Sequence, residues 1–134
     1  MIEDRENFTP PTTHDLPPIS LILLAHGSKD PKWCKSFEDL AKTCDNTSLA
    51  YMDLIEPSLF SVTEELSSKG IKNIKILPLF MSSGGHVDKD IPEQVKELKA
   101  KFPKINFEIL PPIGEHLKVI SSMKEIIKDY AQKN

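Results

Sequence analysis

Four short and almost uninterrupted apolar runs constrain this chain more than any other feature: "SLILLA" (20–25), "LAYMDLI" (49–55), "NIKILPLF" (73–80) and "NFEILPP" (106–112). Runs rich in branched residues, without strict apolar/polar alternation, suit strands that are covered on both faces. Between them, apolar residues recur at helical spacing. The sets are Trp33, Phe37, Leu40, Ala41 and Cys44; Leu59, Val62 and Leu66; Ile91, Val95, Leu98 and Phe102; and Ile120, Met123, Ile127 and Tyr130. Boundary signals agree. Pro57 suits a first helical turn, Gly70 a left-handed stop, and Asp90 with Glu93 a D-x-x-E capping box. Strands that alternate with helices require right-handed crossovers. The expectation is an α/β fold in β-α-β-α-β-α-β-α order, with an open, mostly parallel four-stranded sheet and helices on both faces.

A chain of 134 residues suits one core. Residues 1–18, "MIEDRENFTPPTTHDLPP", hold four prolines and few large apolar groups, so they read as a flexible arm with His14 in it, ahead of a single domain over 19–134. A net charge of −3 offers nucleic acid or an anionic membrane no broad attraction, so local cations must hold any anionic ligand. Cys34 and Cys44, ten apart on one expected helix, would lie about 15 Å apart along its axis, too far to bridge. Free thiols of this kind suit a reducing compartment. "ISLILLA" is too short to span a bilayer, and no signal-peptide pattern opens the chain, so the expected location is the cytoplasm.

In open parallel sheets, ligands bind beyond the carboxyl ends of the strands. "AHGSKDP" (25–31) follows the first strand, "MDLIEPS" (52–58) closes the second, and "SSGGH" (82–86) follows the third. His26, Glu56 and His86 are therefore expected along one rim. Imidazole is the commonest side-chain ligand for divalent metals, and two of them with the rest of the coordination sphere open suit transient binding. Glu56 could supply an oxygen ligand or accept a proton. Other chemistries lack their signatures. The chain has no G-x-x-x-x-G-K-[ST] or G-x-G-x-x-G phosphate loop, no G-x-S-x-G elbow and no C-x-x-C pair. Ala25 precedes His26 where a phosphohistidine enzyme would carry arginine. No nucleotide or organic cofactor is expected.

At these residues the sequence resembles the small, single-domain class II chelatases, the sirohydrochlorin cobaltochelatases and ferrochelatases, over about residues 19–131. "LLAHGSKDP", "MDLIEPSL", "ILPLFMSSGGHVDKDIP" and "LPPIGEHL" carry the likeness. Leu117 stands where relatives usually have proline after the last motif's histidine, His116. The resemblance implies a chelatase-like, flavodoxin-like layering, with His26 and His86 holding the incoming metal and Glu56 on the active-site wall. It also implies a homodimer of short chains, a tetrapyrrole substrate, and a divalent metal (cobalt, ferrous iron or nickel) as co-substrate in siroheme or cobalamin synthesis. The alternative is a protein that binds and delivers metal or tetrapyrrole without catalysing insertion.

Insertion sets three physical tasks. Neutral imidazoles must hold a partly dehydrated ion loosely enough for the ring nitrogens to take it. A base, either a histidine or Glu56, must accept the pyrrole protons. The ring must also come close, and Gly84 and Gly85, which have no side chains, admit a flat macrocycle and free the dihedrals that aim His86. Lys29, with Lys32, Lys35 and Lys89, could meet the ring's carboxylates; Ser28, Ser82 and Ser83 could add hydrogen bonds, and helix N-termini further donors.

Overall fold

The computed structural model of the protein describes residues 19–132, apart from the side chain of His86. The expected arm of residues 1–18, with His14, lies outside the described residues. The chain runs β1 (Ile19–Ala25), α1 (Pro31–Lys42), β2 (Thr47–Tyr51), α2 (Leu59–Ser68), β3 (Asn73–Pro78), α3 (Gly85–Lys101), β4 (Asn106–Ile109), a 3-10 turn (Ile113–Glu115) and α4 (Leu117–Gln132). This is the α/β order read from the sequence. Every strand pair is parallel, and the sheet order is β2-β1-β3-β4.

That order reverses the direction of winding at β1. The chain moves outward from β1 to β2, then crosses back to β3. With right-handed crossovers, α1 falls on one face and α2 and α3 on the other. Packing agrees. Ile22 and Leu24 of β1 and Ile74 and Ile76 of β3 form one core with Leu59, Val62 and Leu66 of α2 and Ile91, Val95 and Leu98 of α3. Each fully buried branched side chain of this kind contributes about 1.5–3 kcal/mol. On the other face, Ala25 and Tyr51 pack with Cys34 of α1, backed by Phe37, Leu49 and Leu79. The loops after β1 and β3 diverge toward helices on opposite faces, and they define the switch point where such sheets bind ligands.

Several local expectations are corrected. β2 starts at Thr47 and stops at Tyr51, short of the run to 55, because the chain then turns back and Leu54 takes a positive φ of 72°. α1 ends at Lys42, where Thr43 caps it through an Oγ1 hydrogen bond to the Leu40 carbonyl (2.9 Å), so Cys44 lies beyond the helix and is exposed. Asp90 and Glu93 form no N-terminal capping box. α3 already begins at Gly85, which places both inside the helix; the capping box sits on α2, where Ser58 and Ser61 reciprocate. Paired glycines read as loop in the sequence, which starts the expected helix too late.

The fourth apolar stripe also behaves differently. No residue of α4 is buried, and the helix meets the rest of the domain chiefly through the 3-10 turn before it. Over β3 and β4, the face α4 would cover presents Lys75 opposite Glu108 and Asn73 hydrogen-bonded to Asn106 (3.2 Å). Lys75 and Glu108 are exposed. A polar strip of this kind offers no apolar bed for the helix.

Candidate active site

His26 leaves the end of β1 and is exposed, and its ring packs against that of Phe80 beyond β3 in an edge-type contact, with ring centroids 4.6 Å apart at 66°. Parallel pairing brings the two segments together: Leu24 is level with Pro78, and the Leu79 N–H donates to the Leu24 carbonyl at 2.8 Å. The residue after His26 must be small. A Cβ at Gly27 would run into the Asp53 carbonyl, so the loops after β1 and β2 touch backbone to backbone. From there the chain closes on itself. The Ser28 hydroxyl accepts the Asp30 N–H (3.1 Å), the Asp30 carboxylate accepts the Lys32 N–H (3.0 Å), and the Cys34 thiol donates to the Ser28 carbonyl (3.4 Å). These bonds cap α1 and leave Lys29 exposed on the turn. Lys35 pairs with Asp39 along the helix (3.2 Å).

Glu56 lies in the loop after β2, held at its base by hydrogen bonds from Met52 N–H to the Ala25 carbonyl (2.8 Å) and from Tyr51 N–H to the Pro57 carbonyl (2.9 Å). Its Oε1 accepts the Ser58 N–H (3.0 Å) and the Ser61 hydroxyl (2.8 Å). The backbone bond, followed by the hydroxyl, holds its carboxyl below the usual carboxylate range. A carboxylate stabilised in this way is a poorer proton acceptor than an ordinary one. It lines a cavity of about 240 Å³ with Met52, Asp53, Leu54 and Ile55.

Ser82, Ser83, Gly84 and Gly85 are exposed. Gly84 (φ 145°) and Gly85 (φ 46°) both adopt dihedrals that L side chains rarely take, and a Cβ on either would meet no atom within 4 Å. The glycine pair therefore turns the backbone into α3 and leaves open space beside it. The backbone of His86 is the second residue of α3; its imidazole lies outside the described residues. Asp30 caps α1 and Ser58 caps α2, whereas the N-terminus of α3 has no side-chain cap. Among the described residues, no three His, Cys, Asp or Glu side chains come together as a metal cluster, and no helix is long and apolar enough to cross a membrane.

In "LPPIGEHL" the sequence alone assigns no task to Gly114 or Glu115. The structure packs that turn against the loop after β3: the Gly114 N–H donates to the Phe80 carbonyl (3.0 Å), and Glu115 Oε2 accepts the Ser83 N–H (2.9 Å). The available signal was a glycine and a carboxylate just past the carboxyl end of a fourth parallel strand. His116 stands exposed, and its Nδ1 accepts the Lys118 N–H (3.0 Å) at the start of α4.

Residues 20–130 match the CbiX family model. A sirohydrochlorin cobaltochelatase of Sulfurisphaera tokodaii is 30% identical over 117 residues, covering 81% of this chain and 91% of the relative. A sirohydrochlorin cobaltochelatase of Sulfolobus acidocaldarius is 30% identical over 111 residues, covering 80% and 88%. Among solved structures, a CbiX protein from Marinobacter aquaeolei VT8 superposes with a TM-score of 0.75 at 33% identity, covering 86% of this chain and 96% of that one. The cobalt complex of the sirohydrochlorin chelatase SirB from Bacillus subtilis subspecies spizizenii shares the fold at a TM-score of 0.72 and 22% identity, with this chain spanning 50% of it. With its parallel sheet ordered β2-β1-β3-β4 and a family match that runs through all four motif loops, the chain belongs to the CbiX family.

Proposed function

We propose that this protein is a metal chelatase that inserts a divalent metal, cobalt or ferrous iron, into sirohydrochlorin for siroheme or cobalamin synthesis. One observation carries the reading: His26 and the glycine loop bearing His86 leave the adjacent strands β1 and β3 at the switch point, and the His26 ring touches that second loop through Phe80. The names and coverage of the relatives support the substrate class.

In this reading, His26 and His86 hold the metal in neutral imidazoles. Two such ligands bind a partly dehydrated ion without closing its coordination sphere, so the ring nitrogens can displace them. The pyrrole protons pass to the imidazoles as the ring nitrogens displace them from the metal, rather than to Glu56, whose carboxylate already accepts two hydrogen bonds at the start of α2. Glu56 then acts as a fixed negative charge on the wall, favouring the approach of a cation. The open space beside Gly84 and Gly85 admits the flat ring. Lys29, with Ser82 and Ser83, meets its carboxylates, helped by the positive N-terminal end of α3. Ser28 serves mainly to cap the turn. Nickel, which also accepts imidazole, is a competing ion in the same site.

The working unit proposed is a cytoplasmic homodimer of a single domain over 19–134. Support for the pairing comes from α4. Leu117, Ile127 and Tyr130 are exposed, and beside the helix lies a largely apolar groove of about 730 Å³ formed by Leu77, Leu110, Ile113 and Val119. Over the strip of Lys75 and Glu108 its own sheet offers the helix no apolar bed, and the second copy's groove and helix supply one.

Anaerobic incubation of the purified protein with sirohydrochlorin and cobalt or ferrous iron tests the proposal, with ring absorbance as the readout. Repeated turnover per chain, lost in His86→Ala with the circular dichroism unchanged, is expected. A change that stops at one ring per chain would replace the enzyme with a delivery protein, and undiminished turnover in His86→Ala would remove that residue from the metal site.

A further inference from the structure

We infer that Glu115, together with Gly114, is a positioning residue that fixes the loop delivering His86. The inference rests on the reading of His86 as a metal ligand. The Ser83 N–H donates to Glu115 Oε2 at 2.9 Å across 32 residues of sequence. Three residues earlier in the loop, the Phe80 carbonyl accepts the Gly114 N–H at 3.0 Å. A Cβ at Gly114 would run into the Met81 backbone, so the 3-10 turn lies directly on the loop between its two hydrogen bonds.

Backbone freedom next to His86 is the reason the loop needs this clamp. Between Ser83 and His86 stand only Gly84 and Gly85, and glycine loses more conformational freedom on ordering than any other residue. α3 is held below by Ile91, Val95 and Leu98 in the core. A loop unpinned at Ser83 would let the segment ahead of His86 swing about the two glycines. Pinned there, the same glycines become a fixed bend. The clamp reaches the other candidate ligand as well, because Phe80, whose carbonyl it holds, carries the ring that abuts His26. Glu115 also borders, with Ser83, Val87 and Asp88, a cavity of about 350 Å³ between the start of α3 and the segment after β4. Groups that orient a metal ligand from behind typically change metal affinity or activity about 10–100-fold when removed.

Glu115→Ala and Glu115→Gln, compared with wild type and His86→Ala, test the assignment. Amide hydrogen exchange at Ser83 reads the clamp, and the KM for cobalt, kcat and Tm read its consequence. In Glu115→Ala, Ser83 exchange should quicken and the KM for cobalt rise about tenfold or more, with Tm nearly unchanged because the side chain is exposed. Glu115→Gln, which keeps an acceptor oxygen in place, should bring the KM back to within about threefold of wild type. A merely structural role would lower Tm and the active fraction while leaving the KM alone. An unaltered Ser83 amide in Glu115→Ala, or a wild-type cobalt KM in that variant while His86→Ala is inactive, overturns the inference. Wild-type turnover in His86→Ala would instead defeat the metal reading, and the Ser83 amide would still decide the clamp.

Discussion

Adding one methyl group at Gly27 should separate two of the loops that build the site. A Cβ there meets the Asp53 carbonyl oxygen and carbon and stands 3.2 Å from the Leu54 Cβ. Two of the three obstacles are backbone, so no rotamer change makes room, and the 52–58 loop must retreat by about 1 Å or more. Overpacking of this kind costs about 1–3 kcal/mol. In a domain of this size, each kcal/mol lowers Tm by roughly 3–5 °C, so Gly27→Ala should melt about 3–15 °C earlier. The functional loss should exceed what the stability loss implies. The same shift displaces Glu56 and presses on His26, and a misplacement of about 1 Å can cost on the order of a hundredfold in rate. Scanning calorimetry and sirohydrochlorin metallation at a temperature well below both melting points measure the two effects separately. A Gly27→Ala protein with unchanged Tm and unchanged kcat/KM would show that the contact between these loops is unimportant.

Single residues elsewhere give three more expected outcomes. The depressed carboxyl of Glu56 contributes stability that is fully present above the unfolded carboxyl pKa of about 4.3 and is lost as pH falls through the lower folded value. Urea midpoints of wild type and Glu56→Gln should therefore differ by a constant amount near pH 7 and converge under acid, and a gap that widens below pH 4 would contradict the hydrogen bonds assigned to it. Among the described residues the buried Tyr51 hydroxyl meets no hydrogen-bond partner within bonding geometry; burial, followed by the neighbouring Cys34 thiol, pushes its pKa up. Tyr51→Phe should accordingly be neutral or stabilising by up to about 1–3 kcal/mol, with a clear loss in denaturant midpoint counting against it. Ile127→Lys, which places a charge on the exposed stripe of α4, should shift sedimentation from dimer to monomer without changing helicity, and a dimer that survives the substitution would move the interface elsewhere.

The strands, the parallel sheet and the rim positions of His26, Glu56 and His86 were legible in the sequence because they obey local rules. Near-continuous apolar runs mark strands buried on both faces, helical stripes mark the crossovers, and the parallel direction those crossovers impose puts the carboxyl ends of the strands on one edge. Local rules also misled where two signals competed. Asp90 and Glu93 have a capping spacing, yet the backbone had already entered the helix at Gly85, because two successive positive dihedrals completed the turn sooner. Tertiary structure alone decided how the motifs meet. Gly27 fits against Asp53, His26 against Phe80, and Gly114 and Glu115 against the loop from Phe80 to Ser83, all contacts between segments far apart in sequence. It also decided that α4 is left without a buried residue. The physical reason is the same in each case: spacing along a chain specifies which face or end a residue occupies, whereas which backbone atom it touches there depends on the relative placement of loops that only the packed sheet fixes.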